Sequence, residues 1–226
     1  MKGLFVKDLK FIMTQKKFFI MAIALAGVMT LSTGDTTFAA TYIILLLSML
    51  TLTTISYDDM NGGMLFLLSL PVDRKLYVKE KYVFAFANLV FAVIVSLLIS
   101  ICFGTIAGAD IVFDDLFSAV IGIAVGMSVM LGVMIPLELK YGAEKSRIAI
   151  IVFVVAVLAV GYGGYKLLTE VMKVDLNTYA ASILEKLPKS GQGLEVLITI
   201  ALLIVVLVVF FISYIVSARI MKKKEF

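Results

Sequence analysis

Apolar residues along this chain fall in long unbroken blocks, and the charged residues collect between them. A helix that crosses a bilayer needs roughly 20 apolar residues at about 1.5 Å of rise each. Blocks of that kind predict six spans: Phe18–Ser32, Phe38–Tyr57, Tyr82–Ala107, Leu116–Leu137, Ile148–Leu168 and Leu194–Ala218. The first is short and must stand upright, thin the bilayer or borrow flanking residues. The third is long enough to tilt or to break near Gly104. No Asp, Glu, Lys or Arg interrupts the blocks except Lys166 and Glu195 at their ends. An open sheet has no place in lipid, and the blocks lack the alternation of barrel strands. The predicted fold class is therefore an all-α membrane protein, one transmembrane domain over residues 1–226, with no internal repeat or separate domain.

Composition agrees: 62% of the 226 residues are hydrophobic and 16% are charged. A soluble domain is nearer 45–50% apolar and about 25% charged, because it needs a polar coat. The net charge of +4 is explained by where the cations lie, without invoking nucleic acid. Lys2, Lys7, Lys10, Lys16 and Lys17 precede the first span; Arg74, Lys75, Lys79 and Lys81 lie between the second and third; Lys140, Lys145 and Arg147 lie between the fourth and fifth; Arg219, Lys222, Lys223 and Lys224 follow the sixth. The opposite connections hold only four cations, Lys166, Lys173, Lys186 and Lys189, and residues 33–37 and 108–115 carry no cation at all, only Asp35, Asp110, Asp114 and Asp115. Cations favour the cytoplasmic side, so both termini are expected inside. The basic start is long and Thr37-Phe38-Ala39 is a weak cleavage site, so the first block reads as a span and not as a leader. With no His and the single Cys102, an internal disulfide, a His/Cys metal site and a His-based triad are excluded. Cys102 itself reads as a small apolar residue in an apolar run.

Three segments outside the spans carry information. Residues 1–17 read as a basic amphipathic helix at the inner interface, with Lys7, Lys10, Thr14 and Lys17 on one face and Phe5, Leu9, Ile12 and Met13 on the other. Residues 58–81 leave the second span through Asp58, Asp59 and the Gly62-Gly63 pair. They continue as a short apolar run, Met64, Leu65, Phe66, Leu67, Leu68, Ser69 and Leu70, halted by Pro71, and return through Arg74, Tyr77 and Lys81. Such a run is too short to cross and too apolar to stand bare in cytosol, so it lies in the interface or docks into another protein. Residues 138–147 form a compact second loop of mixed charge: Glu138, Lys140, Tyr141, Gly142, Glu144, Lys145 and Arg147. On the opposite side, residues 169–193 hold a short helix capped at Asp175 and closed by Pro188, with Leu176, Tyr179, Ile183 and Leu187 on one face.

An ion-coupled transporter or pump places ionisable groups inside its spans, and an intramembrane hydrolase needs embedded reactive groups. The predicted spans have neither, and the chain has no Gly-x-x-x-x-Gly-Lys-[Ser/Thr] phosphate loop. No catalytic residue is expected, no metal site and no cofactor on this chain. If the chain moves a substrate uphill, another polypeptide must supply the energy.

With these features in place, the chain resembles the permease subunits of type-2 ABC exporters. The stretch Ser69-Leu70-Pro71-Val72-x-Arg74-Lys75-x-Tyr77-Val78-x-x-Lys81 is similar to small bacterial permeases of the branch that includes phenol-soluble-modulin exporters. Pro136-Leu137-x-x-Lys140-Tyr141-Gly142-x-Glu144-Lys145-x-Arg147 resembles that branch's second loop. The resemblance implies two paired permease chains, as homodimer or heterodimer, each bound to a cytoplasmic ABC ATPase subunit that holds ATP and Mg. It makes the helix before Pro71 the coupling helix, Asp58 and Asp59 the acidic end of span two, and Arg74, Tyr77 and Lys81 the start of span three. The second loop, from Glu138 to Arg147, becomes a further ATPase contact. The implied cargo is an amphipathic or antimicrobial peptide, with lipids or drugs next. The alternative from another class is a non-transporting membrane scaffold or regulatory subunit.

Overall fold

The computed structural model describes residues 2–60, 63–69, 73–109, 112–166 and 192–224; at 68, 143, 144, 147, 150, 153, 154, 156–166 and 192–199 it describes the helical backbone alone. Every element among these residues is a helix: α1 (Lys2–Thr14), α2 (Lys16–Thr33), α3 (Thr36–Asp59), α4 (Gly63–Ser69), α5 (Arg74–Ala107), α6 (Phe113–Lys166) and α7 (Gln192–Lys223). Five stretches are long and apolar enough to cross a membrane: Lys16–Thr33, Thr36–Asp59, Arg74–Ala107, Phe113–Gly142 and Ile200–Lys223. The remaining predicted span, Ile148–Leu168, coincides with helical backbone as far as Lys166, but most of its side chains lie outside the described residues. The outer segment 169–193, including the predicted helix from Asp175 to Pro188, also falls almost wholly outside them.

Local signals set the helix ends. Asp35 caps α3: its carboxylate accepts from the Thr37 backbone N–H at 2.8 Å and from the Thr37 hydroxyl at 2.6 Å. The Thr37 hydroxyl bond is the main reason the Asp35 carboxyl lies below its ordinary value, with burial working weakly against it. α2 starts at Lys16 because the backbone leaves helical geometry at Gln15. Lys17 is thereby separated from Lys7, Lys10 and Thr14, which corrects the single helix expected over 1–17. α5 runs unbroken through Gly104. At 34 residues it is roughly 50 Å long, more than a bilayer core requires.

α3 is the central helix and packs against α2, α5 and α6. Its Ile43 and Leu47 meet Ala26 and Ala92, while its Ala40 and Ile44 meet Leu89, Leu116 and Val120. Asn88 of α5 donates to the Leu47 carbonyl at 2.6 Å and to Thr51 at 3.1 Å, so its buried amide is satisfied across the α3–α5 contact. Pro136 inside α6 has no N–H for the Gly132 carbonyl one turn back. Ser213 of α7 donates to that carbonyl instead, and Tyr82 of α5 bonds Ser213 and, at 2.8 Å, Ser217. A helix defect in α6 thus becomes the joint of three helices. The outside of the bundle is apolar, with Leu98, Phe91, Ile94, Leu207 and Phe211 all exposed, a surface suited to lipid and not to water.

An ion cluster and an exposed apolar helix at the base of the bundle

α1, α4, the end of α3, the start of α5, the corner of α6 and the end of α7 gather at one end of the bundle. Asp58 ends α3, where the unpaired carbonyls already place partial negative charge. A buried carboxylate there needs cations and donors, and the neighbouring elements supply them. Lys81 of α5 lies 2.8 Å from Asp58 and pairs with Asp8 of α1, while also reaching Thr54 at 3.3 Å. Lys7 of α1 pairs with Asp58 and lies 3.2 Å from Asp8. Tyr77 donates to Asp58 at 3.1 Å. Lys81, Asp8 and Asp58 are 0%, 1% and 4% exposed and Lys7 is 35% exposed, so three dry charges and one at the rim form a compensated cluster joining three helices. Burial pulls the Lys7 ammonium down, but Asp58 and Asp8 outweigh it and hold Lys7 above the ordinary lysine value. Phe5 against Phe84 and Phe11 against Tyr57 add aromatic contacts across the same joints.

This arrangement reverses part of the expected orientation of α1. Leu4 and Asp8 face the bundle and Lys7 turns inward, while Leu9 and Met13 are exposed. Asp8 was not singled out in the sequence. The available signal was its position as the only acid before Asp35, one turn beyond an inward leucine. Glu80, fully buried beside Lys81, is a second carboxylate that the charge pattern did not distinguish.

α4 divides its apolar run by helical spacing. Met64 is buried and Leu67 packs on the same core, whereas Leu65 and Phe66 are 54% and 68% exposed. Ser69 closes the helix by donating to the Phe66 carbonyl at 2.8 Å. Leu70 and Pro71 lie outside the described residues, as does the side chain of Leu68. Arg74 donates to the terminal carbonyls of Met221, Lys222 and Lys224, at 3.3, 3.5 and 2.8 Å, and so caps α7. Lys224 in turn approaches Asp59 at 3.8 Å.

The expected second loop is instead a helical corner. α6 continues through Glu138, Lys140 and Tyr141, bends at Gly142, and resumes as helix over 143–166. Glu138 is buried and accepts from Ser56 of α3 at 3.4 Å. Lys140 lies over the Tyr141 ring, and Tyr141 and Lys145 are exposed. The side chains of Glu144 and Arg147 lie outside the described residues. Gly142 has φ 78° and ψ 171°, a region essentially reserved for glycine, and a Cβ there would sit 2.6 Å from an Asp59 carboxylate oxygen. Gly142→Ala is expected to cost about 1–3 kcal/mol, and Gly142→Asn no less, since asparagine gains nothing at this ψ. The thermal midpoint of the solubilised chain checks this.

Among its described residues the base is built of ion pairs and apolar contacts. It offers a braced platform from which a small apolar helix projects. Comparison with curated proteins and with solved structures finds no match. The model of the ABC-2 family of transporter proteins matches residues 3–222, nearly the whole chain. The chain therefore belongs to the ABC-2 transporter family, as a multi-pass transmembrane subunit of an ABC transporter that works with an ATPase subunit.

Proposed function

We propose that this chain is the membrane subunit of an ATP-driven exporter and that a separate ATPase subunit docks on α4. The observation that carries the reading is the exposed Leu65–Phe66 pair on a helix whose other side, Met64 and Leu67, is fixed to the core. Movement of the ATPase would be passed through α4 to the ends of α3 and α5, which the Asp58–Lys81 pair holds together. The α6 corner at Gly142 forms a second contact through the exposed Tyr141 and Lys145. ATP and Mg belong to the ATPase, and this chain supplies no catalytic group.

The wider reading has six spans, both termini in the cytoplasm of a bacterium, α1 in the inner interface, and two permease chains per transporter. Its cargo is an amphipathic or antimicrobial peptide, as the likeness to phenol-soluble-modulin exporters implies; lipids or drugs are the alternative cargo. The cation distribution supports the orientation. In a Cys102→Ser background, Thr33→Cys and Val112→Cys, both exposed, are expected to react with an impermeant thiol reagent on intact cells, and Lys75→Cys only after lysis. Labelling of Lys75→Cys on sealed cells would put α4 on the side without ATP and end the docking proposal.

A further inference from the structure

α6 and α7 touch closely at Gly132, where an added Cβ would meet Val209 at 2.7 Å. Toward the base they separate, and the gap opens into two adjoining cavities of about 540 and 440 Å³ that share Lys140, Val216 and Ile220. The deeper walls are apolar, with Val209, Ile212 and Val216 prominent. The mouth carries Lys140, Arg219 and Lys223. Among the described residues none of these three has a carboxylate within ion-pair distance: Asp59 is taken by Lys224, and Glu138 turns toward Ser56. Three cations lining one mouth, with no carboxylate on them among the described residues, favour a bound anion there. The demand is for a negative group at the mouth and a hydrocarbon chain in the wedge behind it.

We propose that this wedge binds an anionic phospholipid, with its phosphate between Lys140, Arg219 and Lys223 and an acyl chain along Val209, Ile212 and Val216. Basic pockets between spanning helices suit anionic headgroups, and the apolar wall continues directly from the basic mouth. The lipid would fill the gap between the two helices that Ser213 and Tyr82 join higher up, and steady the corner at Gly142. The orientation under Proposed function places this lipid in the inner leaflet, but the binding test does not depend on it.

The chain contains no tryptophan, so Val216→Trp, or Ile212→Trp in a second preparation, is a single reporter in the wedge. The purified full chain is placed in phosphatidylcholine vesicles holding increasing fractions of brominated phosphatidylglycerol or, in parallel, brominated phosphatidylcholine. Half-maximal quenching is expected at about tenfold lower mole fraction for the anionic lipid. Leu98→Trp, on the lipid-facing side of α5, is expected to show no preference, which separates a site from general surface attraction. Adding K140Q, R219Q and K223Q should make the two lipids equivalent; if that chain does not fold, K140Q with K223Q should narrow the preference. Equal quenching by both lipids with the cations intact, or a preference that survives their removal, would overturn the proposal. Equal quenching by both lipids in the free chain, with shielding of the reporter from iodide only when the ATPase subunit is bound, would also overturn it and assign the basic mouth to that subunit.

Discussion

Phe66→Ala is expected to reduce association with the ATPase subunit roughly thirtyfold, and to stop transport, in a chain that still folds and inserts. Phe66 is 68% exposed on α4 and stands outside the core formed by the described residues. A projecting aromatic on a rigid base is the kind of residue that anchors an interface, and truncating such an anchor commonly costs about 2 kcal/mol or more. Leu65→Ala should act in the same direction with smaller effect. Met64→Ala is the contrasting variant: at 3% exposure it belongs to the core, so stability should fall first and association only as a consequence. Leu67 is unsuitable for a charge substitution, because it packs on that same core. If α4 instead rests among lipid headgroups, Phe66→Ala will change little. The deciding measurement is ATPase copurification and export in a Phe66→Ala chain of normal abundance; both unchanged would remove α4 from the docking surface.

Lys81→Met is expected to destabilise the base by about 3–5 kcal/mol, the usual consequence of removing one partner from a buried ion pair. Lys81 is fully buried between Asp8 and Asp58, and without it Lys7 alone would face two carboxylates. The loss should appear as a lower thermal midpoint of the solubilised chain and as protease access between α1 and α2. Adding Asp8→Asn restores the charge balance, with Lys7 on Asp58, so the double variant should recover much of the loss. A simple packing role for the lysine stem predicts no such recovery. An unchanged midpoint in Lys81→Met would mean that the cluster does not join α1 to α3 and α5.

Block length carried most of the fold, because a run of apolar residues in lipid has no alternative to a helix. The ends of α2 and α3 and the last residue of α5 fall close to the blocks that predicted them, whereas α5 begins at Arg74, well before the block that starts at Tyr82. The connection after the second block and the resemblance to type-2 permeases singled out Asp58, Arg74, Tyr77 and Lys81, but neither gave a sign that Asp8 and Lys7 complete the cluster. That pairing needs α1 to fold back beneath α3 and α5, a long-range arrangement that helical periodicity within residues 1–17 does not encode. The two sides of the Met64–Leu68 run were likewise invisible. An all-apolar segment has no polar face to mark which side turns outward, so only packing distinguishes Met64 and Leu67 from Leu65 and Phe66. At residues 138–147, mixed charge suggested a loop. The helix persists because Glu138 is buried against Ser56, and one glycine suffices to turn it.

The most direct measurement is recovery of the epitope-tagged full chain from its native membrane in mild detergent, with its partners identified by mass. A nucleotide-binding ABC ATPase subunit should copurify in stoichiometric amount with the unaltered chain and fall away with Phe66→Ala. Recovery of an intact, folded chain in which no ATPase subunit is present, from membranes where that subunit is abundant, would contradict the account.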